Sequence, residues 1–233
     1  MKTEIVYEDK ELLVVHKPAG LATQTAKVGQ ADTVSELKNY LKKPYLGVVH
    51  RLDQPVEGLL VFAKTKRAAA DLSAQVAAGT LNKRYYAVIC GKPAKEQGEL
   101  VDYLYKDMLK TGRAIVVNET ELSHYPDAKR ALLQYRLLQY NEEHDLSLME
   151  IHIDTGRFHQ IRAQMSHAGM ALLGDVKYAD EATKKRAGEL GVKYAALCAC
   201  CLDFLHPVKK QEMHFRIRPE GEAFSNFDPE NLC

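Results

Sequence analysis

Short apolar stretches run through most of the chain and predict a protein built largely from strands. Residues 146–153, LSLMEIHI, alternate with a period of two, as a strand with one buried face does. Residues 4–17 form two apolar runs around a polar turn and stop before Pro18 and Gly20, which predicts an opening hairpin. Further strands are predicted at 46–49, 58–63, 84–90, 100–104, 114–117, 131–138, 194–205 and 212–217.

Three segments have helical spacing instead. The segment 33–43 begins with Thr33 as the predicted N-cap of a capping box and stops before a proline. The segment 66–79 is rich in alanine and ends on Gly79, a residue that commonly closes helices. Apolar residues at helical spacing predict a third helix over 158–169.

These elements predict an α+β fold with a mixed sheet, in a single domain that spans 1–233. A hydrophobic content of 46%, a charged content of 27% and a mean hydropathy of −0.32 are typical of a soluble globular protein. No apolar run approaches the ~20 residues that cross a bilayer, and the charged start MKTEIVYEDK does not look like a signal peptide. We therefore expect a cytoplasmic protein that does not bind membranes.

Charge and cysteine content narrow the picture only slightly. The net charge of +1 produces no global field for nucleic acid, although cations gather between residues 42 and 84, where solvated surface is the usual explanation. The five cysteines are an odd number, and three of them crowd into Cys198-Ala-Cys200-Cys201, so we expect reduced, buried thiols.

The segment GVVHRLDQPVEGLLVFAKT, residues 47–65, contains a cluster of charged and polar residues between two apolar runs. Asp53 follows a predicted strand and precedes Gln54-Pro55, which stiffens the loop and aims the carboxylate. Such an aspartate can satisfy turn amides, or it can act as a nucleophile or general base beside His50 and Arg51. From this segment alone the two interpretations have equal weight.

Two further candidates also have an ordinary structural explanation. Arg162 lies one turn beyond Phe158 and can be either a surface arginine or the partner that keeps a buried aspartate ionised. Tyr85 and Tyr86 alternate along a strand, so one ring is expected in the core and the other facing outwards, where it can stack on a base.

Metal and nucleotide cofactors are not expected. The histidines at 152, 159 and 167 lack the spacing of a metal site, and the cysteine cluster has no second pair to complete a tetrahedral one. The sequence also contains no glycine-rich phosphate loop of either standard type.

Four segments in a fixed order resemble the RluA-type family of RNA pseudouridine synthases. They are VHKPAG at 15–20, HRLD at 50–53 with its following GLL, KRYYAV at 83–88 and TGRFHQIR at 155–162. The resemblance covers essentially the whole chain. It implies a pseudouridine-synthase-like fold, with a mixed, largely antiparallel curved sheet flanked by helices, and a catalytic domain without the family's frequent N-terminal S4 module.

The resemblance also implies roles for individual residues. Asp53 is expected to be the catalytic aspartate, Arg162 its paired arginine, and Tyr85 the ring that packs on the target uracil. No metal or organic cofactor is needed. The expected substrate-binding residues are His50, Arg51, Lys64, Lys83 and Gln160, with Lys66 and Arg67 as further cations for phosphates.

The implied partner is structured RNA, either rRNA or tRNA, bound by a monomer, with no DNA expected. Departures from the family pattern lie at Val56-Glu57, where Thr-Ser is usual, at Phe158, where Thr is usual, and at Cys198, where His is usual. These departures motivate an alternative function, that of a catalytically silent RNA-binding protein of the same fold. A metal-dependent hydrolase that uses the histidines is a third hypothesis.

Overall fold

A computed structural model gives the structure of residues 1–25 and 29–228. Within these residues the strands, numbered in chain order, are β1 Glu4–Glu8, β2 Leu12–Lys17, β3 Gly47–Val48, β4 Glu57–Ala63, β5 Asn82–Cys90, β6 Gln97–Asp107, β7 Arg113–Val117, β8 Lys129–Asn141, β9 Leu146–Ile153, β10 Leu197–Leu205 and β11 Glu212–Arg216. The α-helices are α1 Thr33–Leu41, α2 Lys66–Ala78, α3 Gln160–His167 and α4 Glu181–Glu189. Short 3₁₀ helices occupy Glu119–His124 and Glu222–Asn226.

The chain divides into two compact units, and the first combines Met1–Arg84 with Cys198–Pro219. Its strand order is β1-β2-β4-β10-β11, and the short β3 also pairs with β4. All of these pairs are antiparallel except β4 with β10, which is parallel. The predicted opening hairpin is confirmed as β1 and β2.

Burial on both faces fixes the centre of the first unit. Every residue of β2, LLVVHK, and of β4, EGLLVFA, is buried, as expected for strands that are covered on two sides. Helix α2 packs on this sheet through Ala68 and Leu72. The helix begins at the N-cap Thr65 and ends at Gly79 in the left-handed conformation, as its sequence predicts.

The N-cap of α1 differs from the prediction. Asp32, not Thr33, is the N-cap, and its carboxylate accepts from the amide of Ser35 at 2.7 Å. Thr33 N donates instead to Ala22 O at 2.9 Å. Glu36 makes no reciprocal cap, because its carboxylate accepts from the amide and hydroxyl of Thr3. Contacts distant in sequence therefore override the local capping-box pattern.

A buried histidine joins two turns of the first unit. His206 Nδ1 accepts from the amides of Val208 and Lys209 at 3.1 and 2.9 Å, so its proton lies on Nε2. That Nε2 donates to Asp9 Oδ2 at 2.8 Å. The turn after β1 is thus fastened to the turn after β10.

The second unit comprises Tyr85–Leu197 together with residues 220–228. Its strands follow the order β5-β9-β8-β6-β7, and the β9-β8, β8-β6 and β6-β7 pairs are antiparallel. Helix α3 packs on β6 and β7, where Ala163 meets a small core of Leu104, Ala114 and Ala131.

The structure confirms an α+β fold with a mixed, mostly antiparallel sheet. The third predicted helix is shorter than expected, because α3 begins at Gln160 and leaves Phe158 in the preceding turn. Helix α4 was not predicted. The single-domain assignment over 1–233 stays a prediction beside the two compact units.

The prediction of reduced, buried thiols is confirmed for the three cysteines of β10. Cys198, Cys200 and Cys201 are buried, reduced cysteines and Cys90 is a half-buried one, while Cys233 lies outside the described residues. None of the helices in the described part of the chain is long and apolar enough to cross a membrane.

Candidate active site

The loop that carries Asp53, between β3 and β4, is held in place by the segment after β2. Thr23 Oγ1 donates to Leu52 O at 2.8 Å and accepts from Leu52 N at 3.1 Å. Gly20 N donates to Gln54 O at 2.8 Å, and Gln54 Nε2 returns a bond to Gly20 O. Asp53 lies between these two clamped residues. Its own carbonyl accepts from Val56 N at 3.1 Å and closes the turn.

A lysine that the sequence analysis left without a role lies beneath this loop. Lys17, at the end of β2, is 0% exposed. Its Nζ donates to the carbonyl oxygens of Pro18 at 2.9 Å and Leu21 at 2.7 Å, and approaches Gln54 O at 3.5 Å. Burial lowers the pKa of Lys17 to about 7, although the nearby charges of Asp53 and Glu57 oppose that shift. The signal in the sequence was a lysine at the end of a strand that begins with four apolar residues.

Glu57, one of the departures from the family pattern, is buried at the start of β4. Its carboxylate lies 3.8 Å from His16 Nε2. Glu57 and Gly58 pair with Cys198 and Ala199 of β10. Asp53, Lys17 and Glu57 therefore bring two carboxylates and one cation into the same region of the first unit.

His50 is buried and neutral. Burial, assisted by the charge of Lys83, lowers its pKa well below the ordinary value. Its Nε2 accepts from Val61 N at 3.1 Å, so the neutral ring carries its proton on Nδ1. That Nδ1 has no hydrogen-bond partner among the described residues. His50 thus ties the Asp53 loop to β4, and its contact with substrate stays a prediction.

The other predicted substrate-binding residues of the first unit differ in their surroundings. Arg51 is exposed next to Asp53. Lys64 Nζ donates to Glu8 Oε1 at 2.6 Å and is thereby occupied on the side of the β1-β2 turn. Burial lowers the pKa of Lys83. The structure leaves their binding roles as predictions.

In the second unit, Arg162 is 3% exposed and forms a bidentate ion pair with Asp175, which is 1% exposed in turn. Nε donates to Oδ2 at 2.6 Å and Nη2 donates to Oδ1 at 2.7 Å. The ring of Tyr178 lies 5.1 Å from the guanidinium carbon. Arg162 is therefore not a solvated surface arginine.

Asp175 was missed by the sequence analysis. It follows Leu172-Leu173-Gly174 in a loop, where a lone aspartate ordinarily indicates a turn. It does serve that purpose, because Oδ1 also accepts from Lys177 N at 3.0 Å. Only its contact with Arg162 reveals the second role. Asp53 and Arg162 belong to different units, and their predicted pairing stays a prediction.

Tyr85 and Gln160, two predicted site residues of the second unit, are both buried. Tyr85 and Tyr86 are 5% and 6% exposed, so the prediction that one ring faces outwards is wrong. Gln160 accepts from Thr155 Oγ1 at 2.7 Å and Arg157 N at 3.0 Å, and donates to Leu132 O at 3.0 Å. Its amide thereby holds the turn before α3, whereas its contact with substrate stays a prediction.

A family model described as RNA pseudouridylate synthase matches residues 11–167, more than half of the chain. The chain belongs to this family. The matched region contains the Asp53 loop, Tyr85 and Arg162, while Asp175 lies beyond it.

Curated relatives of this pseudouridine synthase agree. The "Ribosomal large subunit pseudouridine synthase D" of Zymomonas mobilis is 34% identical over 225 residues, which cover 91% of this chain and 68% of the relative. The "Uncharacterized RNA pseudouridine synthase YhcT" of Bacillus subtilis is 30% identical over 235 residues, covering 99% of this chain and 71% of the relative. The fold is shared with the structure titled "Human RNA Pseudouridylate Synthase Domain Containing 1", with a TM-score of 0.76, 19% identity, and coverage of 93% of this chain and 83% of the other.

An RNA pseudouridine synthase is an isomerase that moves the attachment of uracil to ribose from N1 to C5 without a net change in atoms. An ionised carboxylate can begin this reaction by covalent attack or by removing a ribose proton. In the first unit the Lys17 ammonium group lies near the carboxylates of Asp53 and Glu57.

Proposed function

We propose that this pseudouridine synthase isomerises a uridine in large-subunit ribosomal RNA, and that Asp53 is the carboxylate that begins the reaction. The observation that carries the proposal is the clamped loop, in which Asp53 is flanked by Leu52 and Gln54, each bonded to the segment after β2. Such fixation holds a reacting group in the geometry that catalysis needs. The choice of ribosomal RNA rests on the similarity to the ribosomal large subunit pseudouridine synthase D of Zymomonas mobilis.

Arg162 has a defined part in this proposal. Its guanidinium keeps its charge at any working pH, and the bidentate pair with Asp175 orients it rigidly. We propose Arg162 as the arginine that acts with Asp53, as the resemblance to the family implies.

The target uridine must leave its stack before it can react, which costs a few kcal/mol. Tyr85 is proposed to pack on the extruded uracil, since stacking on an aromatic ring contributes about 1–3 kcal/mol per base. The exposed Arg51, beside Asp53, is proposed to hold the RNA strand from which the base has been withdrawn. A ribosomal RNA substrate also agrees with the expected cytoplasmic location.

Release of tritium from RNA labelled at C5 of uridine tests the proposal. Asp53→Asn should lower the rate of tritium release by about 10²- to 10⁴-fold while leaving RNA affinity unchanged. Asp127→Asn is the matched control, because Asp127 is an exposed loop aspartate of the second unit, and it should release tritium at the wild-type rate. Undiminished release by Asp53→Asn refutes the catalytic role, and release from tRNA alone refutes the ribosomal substrate.

One observation favours the second candidate, a catalytically silent RNA-binding protein. Glu57 places an additional buried carboxylate near Lys17 and Asp53, where the family usually has a hydroxyl. In that case the wild-type protein binds the ribosomal RNA without releasing tritium. The Glu57→Ser variant then distinguishes a silenced site, which regains release, from one that is silent for another reason.

A further inference from the structure

Three rings contact one another in the second unit. Two belong to the turn before α3 and the third to the loop after it. Phe158 lies face to face on His159, with ring centres 3.7 Å apart and an angle of 22°. His159 meets Tyr178 edge-on at 5.6 Å, and its Nδ1 shares a hydrogen bond of 2.8 Å with the Tyr178 hydroxyl. The backbone of His159 adopts a positive φ of 51°, which is uncommon for residues other than glycine. We call Phe158, His159 and Tyr178 the ring stack.

Two exposed cations contact the ends of the ring stack. Lys106 Nζ lies 4.8 Å from the centre of the Phe158 ring, and Arg113 Cζ lies 5.9 Å from the centre of the Tyr178 ring. They come from adjacent strands, since Lys106 of β6 opposes Ala114, the neighbour of Arg113 in β7. Contact with a ring restrains a long basic side chain that would otherwise move freely in water.

Neither cation is neutralised by another residue that the structure describes. In the part of the chain that the structure describes, no carboxylate forms an ion pair with Lys106 or Arg113. Asp107 opposes Arg113 in the strand register. Its carboxylate, however, accepts from the amides of Lys110 and Thr111 and from the Thr111 hydroxyl. Two positive charges are therefore held in place and left available for an external anion.

The ring stack connects these cations to the candidate site. Arg162 and Arg113 contact the same Tyr178 ring, at 5.1 and 5.9 Å. Tyr178 is fixed in turn, because its hydroxyl accepts from Ala114 N at 2.6 Å. An anion bound at Arg113 is therefore separated from the buried guanidinium of Arg162 by no more than one shared ring.

We propose that Lys106 and Arg113, positioned by the ring stack, bind the phosphate backbone of the RNA strand that carries the target uridine. This inference rests on the proposed function, because it takes the anion to be the RNA substrate. Phosphates are the anions that RNA presents in a row, and contacts with them fix register without reading sequence. Phe158, which departs from the family pattern, belongs to this surface and holds Lys106.

The salt dependence of RNA affinity tests the proposal. Filter binding with a large-subunit ribosomal RNA transcript, between 50 and 200 mM KCl, gives the slope of log Kd against log salt. Lys106→Ala and Arg113→Ala should each raise Kd severalfold and reduce the slope by about 1, and the double variant by about 2. Phe158→Leu, which removes the ring but keeps an apolar side chain, should give part of the Lys106→Ala effect.

Lys185→Ala is the matched control, because Lys185 is an exposed cation of α4 in the same unit and its loss changes the net charge equally. Arg113→Lys should recover the wild-type slope. If Lys106→Ala and Arg113→Ala both keep the slope of Lys185→Ala, the phosphate-binding surface is refuted. Tritium release by the wild-type protein on the same transcript is measured separately, so failure of the proposed reaction is distinguished from failure of this surface.

Discussion

Asp175 and Arg162 form a buried ion pair in which both carboxylate oxygens accept from the guanidinium. Removing the anion leaves an uncompensated buried charge, which typically costs about 3–5 kcal/mol. Asp175→Ala should therefore lower the free energy of unfolding by an amount in that range. Urea denaturation at neutral pH measures the change.

The double variant Arg162→Met/Asp175→Leu supplies the control for this pair. Replacing both charges by apolar side chains removes the unpaired group, so much of the stability should return. Tritium release should be lost, because the proposed function requires the Arg162 guanidinium. A double variant no more stable than Asp175→Ala would contradict the assignment of the loss to an unpaired charge.

Lys17 should make stability depend on pH near neutrality. Its pKa is about 7 in the folded protein and 10.5 in the absence of burial. Between these two values the unfolded chain binds more protons, so the Lys17 contribution to the free energy of unfolding rises with pH. The maximum slope is about 1.4 kcal/mol per pH unit. Denaturant unfolding of wild type and Lys17→Met from pH 7 to 9 isolates it, and identical slopes would show that Lys17 does not titrate in this window.

Gly58 occupies a position that no other residue fits. Its φ is +133°, and a Cβ there would lie 2.4 Å from the backbone nitrogen of Ala199. The conformation alone costs a side chain about 1–3 kcal/mol, and the contact is with rigid backbone, so Gly58→Ala should destabilise by more than that range. Thermal unfolding measures the loss. Gly188→Ala in α4 meets no atom within 4 Å and should be neutral or slightly stabilising.

Local patterns predicted most of the elements, because the signals lie within each segment. The buried runs of β2 and β4 and the Thr65 and Gly79 ends of α2 are examples. Helix α4, EATKKRAGE, escaped because only Thr183 and Ala187 are buried and no apolar face marks it. The N-cap of α1 was misplaced by one residue, because the bonds that occupy Thr33 come from residues distant in sequence.

The candidate site was predicted in part. The ordered motifs indicated Asp53 and Arg162, but not the residues whose roles depend on tertiary contacts. Lys17 is identified by its contacts with carbonyl oxygens of the Asp53 loop and of the segment after β2. Asp175 is identified by its ion pair with Arg162. The error at Tyr85 and Tyr86 has a related cause. Burial is continuous along β5 from Tyr85 to Ile89, so alternation does not separate an inner face from an outer one.

The split composition of the first unit affects how the protein is made. The Glu57-Gly58 end of β4 pairs with Cys198 and Ala199 of β10, which are synthesised much later. Asp9 likewise bonds to His206, near the other end of the chain. At about 5–20 residues per second, a ribosome needs about 7–28 seconds to add the roughly 140 residues between the two strands. During that interval the nascent chain exposes an unpaired strand edge, which is open to association with other chains. Completion of this sheet is therefore a late event in biosynthesis, after most of the second unit has left the ribosome.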